Sequence, residues 1–240
     1  LCCSKAAKPS NKQSTKMTYM TPRYAVYFTP APDTPWWQAG SHWLGRCANT
    51  NAVLPQPTLT GWSPAQQLLA TAQPRRYGWH ATLKAPFYLA LAVSETDVCK
   101  VIESIAQAHK PVPLHGLVMQ YVGDCLAFTL DNPMDAVAAV ASHCVQDLRP
   151  LSAPLTPVDI ARRRGAELSS QQDAYMLQWG YPYVFEEFRW HMTLSGPLTH
   201  YSAMQREQFR LGALQHFESL PPMSLDGLAL FRCLFSYYFL

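Results

Sequence analysis

The chain has 240 residues, of which 48% are hydrophobic and 15% are charged, enough apolar material for one large domain with a substantial core. This composition excludes a disordered or fibrous protein. The formal net charge is only +3, which is too small for the basic footprint of a protein that binds long nucleic acid, so a small or short substrate fits better.

The ends of the chain and its cysteines set further expectations. Residues 1–20 are polar and lack the apolar stretch of a secretory signal, so we expect a disordered extension there, followed by a single domain over residues 21–240. No apolar run approaches the roughly 18–20 residues that cross a bilayer, so no membrane partner is expected. The seven cysteines are odd in number and show no zinc-type spacing, which is typical of reduced thiols in a cytoplasmic protein.

Local patterns predict an alternation of strands and helices from residue 23 onward. Aromatic and β-branched runs indicate strands, and a serine or proline before a helix-forming segment indicates a helix start. In chain order the predicted elements are a strand at 23–28, helices at 36–44 and 63–72, a strand carrying His80, a helix at 94–109, strands at 114–122 and 125–130, helices at 133–147 and 169–178, a strand carrying His191, a helix at 202–217, and strands at 225–231 and 234–239.

An internal repeat divides this series in two. The sequence WHATLKAP at residues 79–86 is matched by WHMTLSGP at residues 190–197, and GLVM at 116–119 is matched by GLAL at 227–230 at the same offset of 111 residues. The order motif strand, helix, strand, strand therefore occurs twice. We expect an α+β fold of two pseudo-symmetric lobes, around residues 60–150 and 158–240, with the proline-rich segment 150–157 between them.

Each repeat carries a His-x-Thr motif whose side chains share one face of a strand. Residues i and i+2 of a strand point to the same side, so His80 lies beside Thr82, and His191 lies beside Thr193. If an approximate two-fold axis relates the lobes, the two motifs meet across a central cleft. Two imidazoles and two hydroxyls then converge there.

This set of groups is suited to phosphate ester hydrolysis. Histidine has an unperturbed pKa near neutrality, so one of a pair can take a proton from attacking water while the other protonates the departing oxygen. Thr82 and Thr193 can donate hydrogen bonds to the non-bridging phosphate oxygens. No metal or other cofactor is required by this chemistry.

At these residues the chain resembles the two-histidine phosphoesterase superfamily, which includes the LigT-like RNA cyclic phosphodiesterases. It is most similar to a bacterial subgroup of phosphonate-metabolism proteins. The segments that carry the resemblance are RYAVYF at 23–28, WLGR at 43–46, RRYGWHATLKAPF at 75–87, ARR at 161–163, WGYPYVF at 179–185 and FRWHMTL at 188–194.

The resemblance implies that each lobe is an antiparallel sheet flanked by helices, and that His80, Thr82, His191 and Thr193 are catalytic. It also implies a hydrolase that acts on a small cyclic or linear phosphodiester, either a nucleotide or an intermediate of phosphonate breakdown. The chain departs from the LigT-like pattern at Ser195-Gly196, where a basic residue is common. This departure weakens the transfer of an RNA 2′,3′-cyclic phosphate specificity.

Other residues are candidates for substrate binding. Positive charge can come from Lys84, Arg76 or Arg163, with Arg75 and Arg189 as alternatives, and Tyr77, Tyr183 and Tyr181 can stack on a base or sugar. A purely structural alternative is that the tyrosines belong to the core and that Arg162, Arg163 and Arg164 form a solvated helix face.

Two other functions compete with hydrolysis. A non-catalytic protein could use the same cleft to bind RNA ends or a phosphorylated metabolite. A zinc site on His80 and His191 is a weaker alternative, because no Cys or carboxylate ligand has supporting spacing.

Overall fold

The computed structural model describes residues 22–165 and 167–233. The extension expected at residues 1–20 and the strand predicted at 234–239 lie outside these ranges. Within them, the predicted strands and helices occur in the expected chain order, with two main differences. The strand predicted at 225–231 is divided into Ser224–Leu225 and Ala229–Cys233, and the helix Pro157–Arg164 was not predicted.

Six of the strands form one sheet in which every neighbouring pair is antiparallel. The strand bounds are β1 Arg23–Phe28, β2 Ala81–Phe87, β3 Val112–Pro113, β4 Leu117–Val122, β5 Cys125–Leu130, β6 His191–Thr193, β7 Ser224–Leu225 and β8 Ala229–Cys233. The order across the large sheet is β4-β5-β6-β2-β1-β8, and β3 pairs with β7 separately. The two motif strands, β2 and β6, are therefore adjacent at the centre of the sheet.

Six of the eight α-helices in the described residues begin at a Ser or Thr side-chain cap. Their bounds are α1 Pro35–Leu44, α2 Pro64–Ala70, α3 Ala72–Arg75, α4 Glu95–Ala108, α5 Asp135–Asp147, α6 Pro157–Arg164, α7 Ser170–Trp179 and α8 Ala203–Phe217. Reciprocal capping boxes open five of them, at Ser63, Ser94, Thr156, Ser169 and Ser202. None of the described helices is long and apolar enough to cross a bilayer.

One face of the sheet is buried beneath helices. Phe28, Ala81, Met192 and Phe128 lie directly opposite one another across four strands, and all four are buried. Aromatic side chains from α1 and α8 close this face, with the Phe217 ring 5.1 Å from the Phe128 ring. Burial of this row fixes which face each motif strand turns inward.

The predicted alternation of buried apolar residues with more exposed polar residues is confirmed in both motif strands. Trp79, Ala81 and Leu83 are buried, as are Trp190, Met192 and Leu194 at the equivalent positions. The intervening histidines and threonines are partly exposed. Each motif is thus held by apolar neighbours on the inner face and presents its polar groups on the other.

The α+β class and the helix-flanked antiparallel sheet are confirmed, but separate pseudo-symmetric lobes are not. The motif strands join in one continuous sheet, and β4–β5, from the first predicted range, pair with β6, from the second. The second pair of repeated segments, GLVM and GLAL, does occupy equivalent positions, since the strands that contain at least half of each, β4 and β8, form the two edges of the sheet. The lobe ranges 60–150 and 158–240 stay a prediction.

A substitution at Gly40 tests the packing behind the first motif. An added Cβ at this buried helix position would lie 2.4 Å from Cε3 of Trp79, the residue before His80. We expect Gly40→Ala to lower the free energy of unfolding by about 1–3 kcal/mol through overpacking. Chemical denaturation measures this change. Gly227→Ala is the control, because a Cβ there meets nothing within 4 Å, and an equal loss in both variants would contradict the packing argument.

Candidate active site

The two His-x-Thr motifs lie side by side on the partly exposed face of the sheet. Ala81 of β2 is opposite Met192 of β6 in an antiparallel register. Continuing this register by one residue in each direction places His80 opposite Thr193 and Thr82 opposite His191. Residues so paired have Cβ atoms roughly 4.5–5.5 Å apart, and the two histidines lie on a diagonal of roughly 7–8 Å.

The same hydrogen bond orients both imidazoles. Nδ1 of His80 lies 2.8 Å from the carbonyl oxygen of Gly78, and Nδ1 of His191 lies 2.8 Å from that of Arg189. A carbonyl oxygen can only accept, so Nδ1 carries the proton in each ring. Nε2 is then the nitrogen left for chemistry, and it is a proton acceptor whenever the ring is neutral.

A left-handed turn before the first motif makes this arrangement possible. Gly78 has a φ of +79°, and a Cβ at this position would lie 2.5 Å from Cβ of Ala48. Glycine alone satisfies both constraints without strain. The carbonyl of Gly78 is thereby directed at the ring two residues later, which fixes the His80 tautomer.

Aromatic rings surround His80 and alter its protonation. The Tyr27 ring stacks on the imidazole at 3.9 Å with an interplanar angle of 23°, and the Tyr77 and Phe231 rings lie 6.4 and 6.2 Å away. Burial in these surroundings, with a smaller contribution from the positive charge of His191, lowers the pKa of His80 to about 4 against the opposing effect of the Gly78 carbonyl. His80 is therefore neutral at physiological pH.

Two polar side chains, Thr129 and Gln120, lie next to the motif that contains His191. Thr129 of β5 is opposite His191, as Tyr27 of β1 is opposite Thr82. The hydroxyl of Thr129 accepts a hydrogen bond of 2.7 Å from Nε2 of Gln120 on β4. The surroundings of the two histidines therefore differ, with aromatic rings on one side and hydroxyl and amide groups on the other.

Three neighbours of the motifs were not predicted from the sequence, namely Tyr27, Thr129 and Gln120. Each lies in a predicted strand, yet the pairing of that strand with a motif strand could not be read from one sequence. No local signal marks these residues as neighbours of the site.

The structure brings only part of the predicted substrate-binding set to the histidines. Tyr77 lies beside His80. Arg76 is exposed, and its carbonyl accepts a hydrogen bond from Arg46. Tyr183 is 42% exposed and packs against Tyr181, with 5.5 Å between the rings.

Lys84 and Arg163 lie in a different cavity, whose lining includes none of the four motif residues. A β-bulge explains the position of Lys84. Tyr27 is opposite Thr82, but the next residue, Val26, is opposite Lys84 rather than Leu83. This extra residue turns the lysine toward α5, where its Nζ lies 3.4 Å from the carbonyl oxygen of Val145.

Ser195, which departs from the LigT-like pattern, has a structural contact. It is fully buried, and its hydroxyl accepts a hydrogen bond of 2.9 Å from the backbone N–H of Leu126 on β5. A basic side chain at this position would bury a charge and remove that bond. In the ranges that the structure describes, no three or more His, Cys, Asp and Glu side chains group as metal ligands would.

Comparison with known proteins gives one family and two relatives. A family model described as a protein of unknown function (DUF1045) matches residues 82–233. The chain is 38% identical over 213 residues to a protein of Janthinobacterium sp. (strain Marseille) and 35% identical over 216 residues to one of Laribacter hongkongensis (strain HLHK9). Both are named ribose 1,5-bisphosphate phosphokinase PhnN.

These matches cover 88% and 87% of this chain but only 47% and 48% of the relatives. The chain therefore spans about half the length of the relatives it matches.

The protonation of His80 can be tested through stability. A free histidine titrates near pH 6.5 in the unfolded chain, whereas the pKa of His80 in the folded protein is about 4. Between these values the unfolded state binds more protons, so the free energy of unfolding falls as the pH falls from 6.5 toward 4, by roughly 2–3 kcal/mol from this group. Well above pH 6.5, where the histidine is neutral in both states, the group contributes no pH dependence.

Chemical denaturation gives the free energy of unfolding of the wild type and of His80→Asn at each pH in this range. The effect of His80 is the difference between the slopes of the two plots of this free energy against pH. The variant should lose less stability on acidification. Parallel curves, or a His80 ring that titrates near pH 6.5 by NMR, would contradict the low pKa.

Proposed function

We propose that this chain, which belongs to the family described as proteins of unknown function (DUF1045), is a phosphoesterase that uses two histidines as acid and base. The observation that carries the proposal is the matched bond from each Nδ1 to the carbonyl two residues earlier. It leaves Nε2 of His80 and Nε2 of His191 as the reactive atoms on one face of the sheet. Threonine hydroxyls stand beside both rings.

The different surroundings of the two rings support one division of roles. Neutral His80 accepts a proton from water at Nε2 as the water oxygen forms a bond to phosphorus. The bond between phosphorus and the leaving oxygen breaks, and protonated His191 donates the proton from its Nε2 to that oxygen. The net change is addition of water across one P–O bond. The hydroxyls of Thr82 and Thr193 donate to the non-bridging oxygens, where negative charge accumulates.

The substrate class that we propose is a small cyclic or linear phosphodiester, a nucleotide or an intermediate of phosphonate breakdown. The relatives' name, PhnN, fits the phosphonate link implied by the sequence resemblance. Their phosphokinase activity is not transferred to this chain. The sequence contains no Gly-Lys pair, so it has no Gly-x-x-x-x-Gly-Lys-Ser/Thr loop of the kind that cradles nucleotide phosphates, and it matches only about half of each relative.

A binding protein without turnover is the second candidate. The low pKa of His80 favours it, because a weakly basic imidazole is a poorer proton acceptor. Incubation with 2′,3′-cyclic nucleotides and generic phosphodiesters separates the two functions. Product formation supports the esterase, and tight binding without product supports the binding protein.

Substitution of either histidine tests the mechanism. We expect His80→Asn and His191→Asn each to lower kcat on a phosphodiester by about 10²–10⁴-fold, because each removes one proton-transfer group. Steady-state kinetics on 2′,3′-cyclic AMP across pH 4–9 measures the loss, and the bell-shaped profile of the wild type should disappear. The control is His42→Asn, which removes an α1 histidine whose Nδ1 makes the same kind of bond, 3.0 Å to the carbonyl oxygen of Pro55. Full activity in His80→Asn would rule out the mechanism.

Chelation tests the zinc alternative. The site offers two imidazoles and two hydroxyls, which is a poor ligand set for zinc. We expect activity to be unchanged after treatment with EDTA and removal of the chelator by gel filtration. Activity that disappears and returns on addition of zinc would replace the acid-base mechanism with a metal-assisted one.

A further inference from the structure

A second polar cavity lies on the chain apart from the two motifs. It is bounded by the C-terminal half of β2, the C-terminal end of α5, helix α6 and the turn after α7. Its charged lining consists of five cations and one carboxylate, namely Arg23, Lys84, Arg149, Arg162, Arg163 and Asp159. None of the four motif residues lines it.

The charge in this cavity is concentrated well beyond the chain average. The whole chain has 19 basic and 16 acidic residues and a net charge of +3. Only one of the acidic residues lines the cavity, and Asp159 is already bonded to Arg162 at 3.0 Å. The lining therefore has an excess of positive charge that its one carboxylate does not balance.

Neutral groups hold three of these cations in place. Nζ of Lys84 is buried, at 4% exposure, near the carbonyl of Val145 and 5.0 Å from the centre of the Phe87 ring. Arg149 donates to two backbone carbonyls, those of Gln178 at 2.6 Å and Ser152 at 3.2 Å. None of the ion pairs in the described part of the chain includes either residue.

Arg163 is the third. Its guanidinium lies over the Tyr181 ring at 5.4 Å, and its buried Nε has no hydrogen-bond partner among the described residues. A buried donor without a partner costs roughly 1–3 kcal/mol, and more when it is charged. Arg163 also lines the cavity, so an anion there would lie beside this guanidinium.

Burial already acts on the protonation of these groups. Together with a smaller effect of the positive charge of Arg149, it lowers the pKa of Lys84 to about 8. Burial also lowers the pKa of Arg163. A bound anion would act in the opposite direction and stabilise both cations.

We infer that this cavity binds a phosphate group as a dianion, at a site separate from the two histidines. Lysine and arginine side chains from strands β1 and β2, helix α6 and the turn after α5 line it, which suits a tetrahedral anion with several acceptor oxygens and two negative charges. A single carboxylate has fewer oxygens and half the charge. Binding at this site does not depend on the phosphoesterase activity proposed for the motifs.

Calorimetric titration with sodium phosphate at pH 7 and constant ionic strength tests the site. The parent protein for this experiment is the double variant His80→Asn/His191→Asn, so that phosphate at the motifs does not contribute. We expect Arg163→Gln and Lys84→Met each to weaken phosphate binding at least about tenfold, the loss of one charge-assisted contact. Circular dichroism confirms that each protein is folded.

Two neighbouring residues give matched controls. Arg164→Gln removes the next residue of α6, which is 51% exposed and bonded to Asp173. Lys100→Met removes an exposed lysine of α4. Both should bind phosphate as the parent does.

Phosphate affinity that is unchanged in folded Arg163→Gln and Lys84→Met, or no phosphate binding by the parent, would overturn the inference. The cations would then serve only to neutralise the carbonyls at the end of α5.

The phosphate can belong to the substrate or to a separate anion, and kinetics in the protein with both histidines distinguishes these sources. The probes are 2′,3′-cyclic AMP and the same nucleotide with an added 5′-phosphate. If the second phosphate belongs to the substrate, Arg163→Gln raises KM for the 5′-phosphorylated probe alone. If the anion is separate, inorganic phosphate changes turnover of 2′,3′-cyclic AMP in the wild type but not in Arg163→Gln. Failure of turnover with intact phosphate binding would refute only the proposed esterase.

Discussion

The pairing of Ala81 with Met192 is the contact on which the rest of the site depends. It joins β2 to β6 at the centre of the sheet and sets their register. Because side chains alternate along a strand, a slip of one residue would turn both histidines into the core and both tryptophans into solvent. The buried row Phe28, Ala81, Met192 and Phe128 makes such a slip costly. Hydrophobic packing on one face therefore determines the polar geometry on the other.

The strands next to the two motifs give the two histidines different surroundings. Each histidine has the same bond from Nδ1 to a carbonyl two residues earlier, so their tautomers match. Tyr27 stacks on His80 alone, whereas Thr129, bonded to Gln120, is the strand neighbour of His191. Acid-base catalysis by a pair needs this kind of difference, because one ring has to be neutral when the other is protonated. Tyr27 on β1 and Thr129 on β5 are the neighbours that differ between the two rings.

Local sequence patterns predicted most of what is local in this fold. Period-two alternation gave the inward and outward faces of both motif strands, and capping serines gave the starts of the main helices. Helix α6 was not predicted, because Pro157 ends the proline-rich segment 150–157, although Thr156 and Asp159 form a capping box there. The single continuous sheet could not be predicted, since a repeat shows that two segments are alike and does not show which edges pair. For the same reason Tyr27 and Thr129 were missed, as their roles arise from strands distant in sequence.

The bulge in β2 places Lys84 away from His80 and Thr82, although all three residues belong to the same strand segment. In regular alternation, Lys84 would share the face of His80 and Thr82 and would bring its ammonium group toward the imidazoles. A second positive charge there would further disfavour protonation of His80. The shift between Thr82 and Lys84 in the pairing with β1 instead turns the lysine beneath the sheet, to the C-terminal end of α5. Partial negative charge at the C-terminal end of a helix stabilises a cation, so the lysine lies in a favourable position. His80 and Thr82 are then the polar side chains that this motif strand contributes to the motif face.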